Sequence, residues 1–436
     1  MTELDPRTLT ARGIAAAVRA GTLAPEAVAE AYLDRIATLE PQVRAFAFHD
    51  PAAVRAEAGR AAATRRDGLL AGVPIGIKDV LDTGDMPTEY GSRAYPGLRP
   101  ARDAGAVHIV RRAGAVGIGK TVTTEFATAA PGATLNPFDA TRTPGGSSSG
   151  SAAGLGAAFF PLAFGTQTSG STVRPASFCG VVGYKASRHL IDRTGVKPLA
   201  ESLDVVGLMA RDTRDVALLA AAAMRRPELL PADEPPALPQ IALFAPDEAV
   251  APSATSLAVL ETVAGLLGRV TANTAVPDWW LPLIEAQSDV FAWEGSACLA
   301  PERDLHWDRL HPATHDFLRR QDGITFERWQ AGIAARDAGL ADLDTLFAGA
   351  DLLLTQAAPG EAPVGLGSTG QAQYNSRWTL LGTPSLSLPA GLGPDGMPVG
   401  VQLVARPGQD ALLLALAPVI EDRLRAAGLP ARPERP

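Results

Sequence analysis

A polar stretch that carries several hydroxyl groups lies within apolar sequence. It reads GTQTSGSTVRPAS over residues 165–177, between GLGAAFFPLAF and FCGVVGY. A flexible Gly/Ser linker is expected in polar surroundings, so this setting indicates serines and threonines that are buried. A buried serine can act as a nucleophile when a neighbouring base takes its proton. The first question is therefore which side chain supplies the base.

Lysine is the candidate base, because no histidine lies between His108 and His189, the span that holds nearly all of these hydroxyls. A lysine serves as a base when burial lowers its pKa. Lys78 lies in the apolar segment VPIGIKDV, as such a base requires. Spacing alone leaves a second interpretation open, in which Lys78 lies at the edge of the core and its amine reaches solvent or pairs with Asp79. Lysine is rare here, since the 39 basic residues include only Lys78, Lys120, Lys185 and Lys197.

Two short motifs suggest other chemistry, and their surroundings argue against both. GAVGIGKT, residues 114–121, fits the phosphate-loop pattern, but its variable positions are apolar and predict a strand, and the preceding segment is helical. GSSSG, residues 146–150, fits a nucleophile elbow centred on Ser148. A polar loop precedes it where a strand is needed, and no later histidine lies in a setting typical of a catalytic base. We therefore favour neither nucleotide binding nor an elbow hydrolase.

Alternating strands and helices must position these residues. Apolar periodicity predicts helices over 8–20, 25–40 and 103–113, near 252–268 and 326–347, and in the closing segment DALLLALAPVIEDRLRAAG. It predicts strands over 73–80, 241–246 and 350–355, in AVGIGKT, and in a pair joined by the turn GPDG. The pattern indicates an α/β fold with a mostly buried, mixed sheet. The Pro-rich stretch 227–240 is the best linker candidate.

The composition is that of a globular protein with a sizeable core: 436 residues, 46% hydrophobic and 20% charged. No apolar run approaches the ~20 residues of a membrane span. The N-terminus lacks the pattern of a secretory signal, and Cys179 and Cys298 form no disulfide framework, so we expect a cytoplasmic protein. A net charge of −8 argues against a general nucleic-acid-binding surface.

Longer blocks of the sequence resemble the amidase signature family. TPGGSSSGSAAGLGAAFFPLAFGTQTSGSTVRPASFCGVVGYKAS, residues 143–187, resembles its Gly/Ser signature, and GVPIGIKDV resembles its lysine segment. GAVGIGKTVTTEFA resembles the strand and loop between them, while ADLLLTQAAP, NSRWTLLGTPSLSLPAG and GMPVGVQLVARPGQDALLLALA resemble its C-terminal blocks. The similarity spans roughly residues 8–425 and is weakest over about 215–345.

The resemblance implies the amidase signature fold, in which helices cover both faces of one large mixed β-sheet. A single domain would occupy residues 1–436. Its signature core would lie at about 65–215, and a divergent substrate-shaping region at about 215–345. The C-terminal strands and helix would follow over 346–430.

The resemblance also implies the site. Ser171 would be the nucleophile, Ser147 the bridging serine and Lys78 the base, with a cis peptide between Gly146 and Ser147. The backbone amides of Thr168, Ser169, Gly170 and Ser171 would surround the oxyanion. Met86 and Tyr90 are candidates for the substrate pocket, and neither a metal nor an organic cofactor is needed. Two positions depart from the family pattern, since Gln167 replaces a frequent Asp and Ser169 a frequent Gly.

The implied activity is hydrolysis of the C–N bond of an amide through an acyl-enzyme. The same triad could cleave a carbamate, urethane or urea-type bond. A third reading is the glutaminase subunit of a tRNA amidotransferase. The acidic charge and the divergent middle region favour a small-molecule amide substrate, with no nucleic acid and no membrane as partners and a homodimer left open.

Overall fold

One eleven-stranded sheet runs through the computed structural model. The structure describes residues 5–429 except 6, 233, 235, 247, 249 and 272–274. The strands are β1 (Phe46–Phe48), β2 (Pro74–Lys78), β3 (Val116–Thr121), β4 (Leu162–Gln167), β5 (Val182–Lys185), β6 (Val205–Ala210), β7 (Ile241–Leu243), β8 (Val270–Thr271), β9 (Leu352–Gln356), β10 (Ser385–Leu392) and β11 (Pro398–Val404). Their order is β1-β3-β2-β4-β6-β5-β10-β11-β9-β7-β8. Parallel pairs such as β2–β4 occur beside antiparallel pairs such as β4–β6, which confirms a mixed sheet.

Helices cover both faces of this sheet. Consecutive residues of a strand point to opposite faces, and every residue of β2, β3, β4, β6 and β11 is buried. None of the described helices has the length and apolar character needed to cross a membrane. The helices are α1 (Ala11–Arg19), α2 (Pro25–Val43), α3 (Pro51–Thr64), α4 (Gly105–Arg112), α5 (Ser149–Gly156), α6 (Val173–Phe178), α7 (Thr213–Ala223), α8 (Ala254–Leu267), α9 (Leu283–Cys298), α10 (Ala300–Leu305), α11 (Pro312–Gln321), α12 (Phe326–Ala341), α13 (Leu343–Phe347), α14 (Gln373–Leu380) and α15 (Asp410–Ala426).

The segments predicted around Lys78 form as expected. Strand β2 occupies the lysine segment, and β3 takes up most of the GAVGIGKT motif, so these residues pair in the sheet and form no phosphate loop. The Pro-rich stretch 227–240 starts with a short 3-10 helix at Pro227–Leu229, and its residues 233 and 235 lie outside the described residues.

Three predicted helix boundaries are wrong. Helix α1 begins at Ala11 rather than at residue 8, because Thr10 caps it by accepting from Gly13 N. Helix α2 continues to Val43 with Pro41 in its last turn, where the missing N–H removes one backbone hydrogen bond and only two residues follow.

The helix predicted near 326–347 is divided into α12 and α13 at Asp342. The backbone of Asp342 leaves the helical conformation there (φ −109°, ψ 15°), and its carboxylate accepts hydrogen bonds from Trp279 Nε1 (2.8 Å) and Thr345 Oγ1 (2.6 Å).

Helix α5 packs close to the sheet, because glycines at two of its positions leave room for neighbouring atoms. A Cβ atom at Gly150 would lie 2.1 Å from Ala45 O and 2.4 Å from Val122 N, both of which are backbone atoms. One at Gly154 would lie 2.3 Å from the Phe160 ring. This close approach holds the start of α5, and the serines before it, against the end of β3, the strand that pairs with β2 and its candidate base.

Gly150→Ala should destabilise the protein, because backbone atoms on both sides leave no space for a methyl group. We expect a loss of about 1–3 kcal/mol in the free energy of unfolding, measured by urea denaturation. Gly265→Ala in α8 is the matched control, since a Cβ there has nothing within 4 Å. It should stabilise the protein by roughly 0.5–1 kcal/mol, the usual gain from replacing a helical glycine. Equal stabilities of the two variants would contradict the close approach.

Candidate active site

Lys78 ends strand β2 with a side chain that is completely buried. Its Nζ donates to Ser147 Oγ (2.6 Å) and to Thr166 Oγ1 (2.6 Å). Thr166 lies in β4, the strand that pairs in parallel with β2. Sequence reasoning missed Thr166, for which the available signal was a lone hydroxyl near the carboxyl end of an apolar strand. The amine thus lies between two hydroxyl groups from different elements.

Burial governs the charge of this amine. Desolvation lowers the pKa of Lys78 far below its ordinary value, and the negative charge of Asp204 only partly opposes the shift. Among the described residues, no carboxylate lies within ion-pair distance of Lys78 Nζ. Asp79 faces Lys120 instead, at 3.3 Å from its Nζ, so the alternative of a Lys78–Asp79 pair is not what the structure contains. Lys78 is therefore suited to be neutral, with a lone pair that can take a proton.

Ser147 follows a cis Gly146–Ser147 peptide, as the resemblance implies. Its carbonyl accepts from Thr124 N (3.2 Å), and the Gly146 carbonyl accepts from Arg174 Nη2 (2.6 Å). These contacts fix the backbone on both sides of the Oγ atom that meets Lys78. Ser148, the centre of the GSSSG motif, instead accepts from Thr166 N at 3.2 Å and ties α5 to β4.

Ser171 closes the loop that follows β4 and is 8% exposed. Ser148 N donates to its carbonyl oxygen at 3.3 Å, which joins the loop to the residue after Ser147. In the described part of the chain, Ser171 Oγ makes no hydrogen bond to Ser147 Oγ. The structure thus brings Lys78 and Ser147 into direct contact and ties Ser171 to them through the backbone.

Gln167, one of the two departures from the family pattern, makes hydrogen bonds through both its amide oxygen and its amide nitrogen. Its Oε1 accepts from Thr172 N (2.9 Å) and Val173 N (3.1 Å) at the start of α6, and its Nε2 donates to Thr379 Oγ1 (3.0 Å). A carboxylate could accept the first two bonds but could not donate the third. Glutamine therefore adds a link from the loop to α14.

A cavity of about 510 Å³ opens at Ser171. One face of α9 forms a wall of it, and Phe317 and Arg320 of α11 contribute a second. Met86 and Tyr90 are not among the lining residues. Met86 is buried in the main core, and Tyr90 donates to Asp82 Oδ1 at 3.0 Å. The α9 residues that line the cavity have the spacing of one helical face: Ile284, Gln287, Ser288, Phe291 and Ala292.

Curated relatives and solved structures resemble this chain over nearly its whole length. A glutamyl-tRNA(Gln) amidotransferase subunit from Symbiobacterium thermophilum is 34% identical over 91% of this chain and 93% of its own. The corresponding subunit from Thermus thermophilus is 33% identical over 97% and 99%. The structure of 6-aminohexanoate cyclic dimer hydrolase has a TM-score of 0.86 at 26% identity, covering 99% of both chains. Peptide amidase from Stenotrophomonas maltophilia has a TM-score of 0.81 at 26% identity, covering 98% of both.

These relatives correct the expectation about partners. The sequence predicts that no nucleic acid is among the partners. That prediction is wrong, because the curated relatives are named as one subunit of an enzyme that is itself named for glutamyl-tRNA(Gln). A net charge of −8 describes the whole surface, and it does not exclude a subunit of a larger assembly that works with tRNA.

The family model described as Amidase matches residues 27–263 and 310–414. The two blocks contain Lys78, Ser147 and Ser171, and they leave out residues 264–309, which include α9. The sheet and its covering helices are those of the solved amidases, so the predicted fold is confirmed. Sequence and architecture agree: the chain belongs to the amidase signature family of C–N hydrolases.

Proposed function

We propose that this protein hydrolyses the C–N bond of a carboxamide, with Ser171 as nucleophile, Ser147 as proton relay and Lys78 as base. The contact between Lys78 Nζ and Ser147 Oγ at 2.6 Å carries the proposal. It joins a desolvated amine, which has no carboxylate partner among the described residues, to the hydroxyl of a serine at the start of the signature helix. An amine held neutral by burial is the form that can accept a proton.

The reaction runs as two acyl transfers. Lys78 takes the proton of Ser147 while Ser147 takes that of Ser171, and Ser171 Oγ bonds to the carbonyl carbon. Backbone N–H groups of the loop 168–171 stabilise the oxyanion that forms. The proton returns through Ser147 to the leaving nitrogen, the C–N bond breaks, and ammonia or an amine departs. Water then attacks the ester on Ser171 by the same proton route and releases the acid.

The first candidate substrate is the side-chain amide of glutamine, hydrolysed within a tRNA amidotransferase. Curated relatives named as subunits of such an enzyme support it, since they match 91–97% of this chain at 33–34% identity. The ammonia that leaves glutamine as Ser171 is acylated would then be used by a partner subunit.

The second candidate is an amide whose acyl group carries no ammonium. Among the described residues that line the cavity, Arg174 and Arg320 are charged and none is acidic. The α-ammonium of free glutamine would find no carboxylate there, whereas Ile284, Phe291 and Phe317 offer apolar surface.

Ser171→Ala should abolish amide turnover, because it removes the attacking oxygen and leaves the cavity intact. We expect kcat/KM to fall by roughly 10³-fold or more. A fluorophosphonate probe should label the wild type at Ser171, as mapped by mass spectrometry, and should not label the variant. Ser296→Ala, on a part of α9 outside the cavity lining, is the control and should behave as wild type. A histidine variant as inactive as Ser171→Ala would argue for a different base.

Replacing Lys78 with Met should remove part of the pH dependence of stability. The pKa of Lys78 is lower in the folded protein than in the unfolded chain. Between these two values the unfolded chain binds a proton that the folded chain does not, so the free energy of unfolding rises with pH in that window. The stability of the wild type relative to Lys78→Met should therefore increase by up to about 1.4 kcal/mol per pH unit as the pH rises toward ~10.4.

Urea unfolding of both proteins across that window measures this difference. Lys120 and Lys185 are also buried with lowered pKa values, but they are present in both proteins and their contributions cancel. Parallel pH dependences would mean that Lys78 is charged in the folded state, and the base would have to be sought elsewhere.

Three related amides separate the two candidate substrates. L-Glutamine, glutaric acid monoamide and pentanamide differ only in the α-ammonium and the carboxylate. Because no described acidic residue lines the cavity, we expect the isolated chain to turn over the two amides without an ammonium at least as well as glutamine. A preference of the isolated chain for glutamine in kcat/KM would favour the first candidate instead.

A further inference from the structure

Each of the three carbonyl groups between Thr168 and Gly170 is held by its own donor. Thr168 O accepts from Gln287 Nε2 (3.3 Å), and Ser169 O accepts from Thr379 Oγ1 (2.7 Å). Gly170 O accepts from the backbone N–H of Arg174 (3.1 Å). The donors come from α9, α14 and α6. Three separate elements therefore hold three consecutive peptide groups.

Holding a carbonyl also aims the N–H group on the other side of the same peptide. A trans peptide is planar, and its N–H points opposite to its C=O. The three contacts thus fix the directions of the N–H groups of Ser169, Gly170 and Ser171. Within the described part of the chain, these three N–H groups donate to no protein acceptor. Unpaired N–H groups on a held loop are the arrangement that stabilises an oxyanion.

Gln287 differs from the other two donors in where it lies in the sequence. Thr379 and Arg174 fall within the residues that the family model matches, whereas Gln287 lies in the unmatched segment 264–309. Its side chain is nearly buried, at 6% exposed, and its Nε2 also donates to Ser169 Oγ at 2.9 Å. Ser169 is itself a departure from the family pattern. A residue outside the matched segments therefore contacts one of the two departures directly.

We propose that Gln287 is a positioning residue for the oxyanion loop: its amide orients the Thr168–Ser169 peptide, so that Ser169 N–H is aimed at the carbonyl oxygen of the substrate. The inference rests on the proposed function. The same helix face carries Ile284, Ser288 and Phe291 into the cavity. Helix α9 therefore lines the cavity and also holds one of the predicted oxyanion donors. It lies in the segment that the family model does not match.

Gln287→Glu tests the proposal with an isosteric change, because a carboxylate cannot donate to Thr168 O. Oxyanion donors act mainly in the transition state, so we expect kcat to fall by roughly 10- to 100-fold with KM changed less than about threefold. Glu285→Gln is the matched control. It makes the opposite substitution on the same helix, at a side chain that is 78% exposed, and should keep the wild-type kcat.

A second variant separates positioning from a loss of folding. Ser169→Ala removes only the Oγ contact and keeps the Thr168 carbonyl contact, so its effect on kcat should be smaller. If the contacts act together, the double variant should be less impaired than the product of the two single effects. Thermal melting checks that each variant is folded. If the Gln287→Glu variant melts at the wild-type temperature and keeps the wild-type kcat, the proposal is overturned. A change in KM without a change in kcat overturns it as well.

The two proposals fail in different ways. If the wild type turns over no amide and Ser171 is not labelled, the proposed function fails. If the wild type is active, Ser171→Ala is inactive and Gln287→Glu keeps the wild-type kcat, the proposed function stands and only the role of Gln287 is overturned.

Discussion

The burial of one amine among hydroxyl groups is the interaction on which the rest of the site depends. Lys78 Nζ meets Ser147 Oγ and Thr166 Oγ1, while the neighbouring carboxylate of Asp79 faces Lys120. An ammonium in such a position would have no carboxylate partner among the described residues, so desolvation favours the neutral amine. The strands around it must exclude water to sustain this preference. The large sheet, buried on both faces, provides that exclusion.

Close backbone packing brings the serines to this amine. Gly150 lets the start of α5 approach β3 to a distance that no side chain permits, and Ser148 ties the same helix end to β4. The Gly/Ser-rich signature is thus explained by contact distances as well as by chemistry. Its glycines make room, and its serines supply both local hydrogen bonds and the hydroxyl that meets Lys78.

The cavity is lined partly by residues that the family model matches and partly by residues that it does not match. The loop 168–171 and its supports on α6 and α14 fall within the matched residues, whereas α9 does not. One wall of the cavity therefore lies within the matched residues, and the wall formed by α9 lies outside them. This division is consistent with one family that includes tRNA amidotransferase subunits, a peptide amidase and a cyclic-dimer hydrolase.

The sequence by itself determined the family, the mixed sheet and the residues of the proposed triad. Long signature blocks and strand-like apolar runs are local features, so the order of residues along the chain is enough to identify them. Tertiary structure alone decided that Thr166 shares Lys78, that Gln167 reaches Thr379 and that Gln287 holds the loop, because each contact joins segments far apart in the chain. It also placed residues of α9, and neither Met86 nor Tyr90, in the lining of the cavity at Ser171. A side chain's direction depends on how its element packs, and residue spacing along the chain does not contain that information.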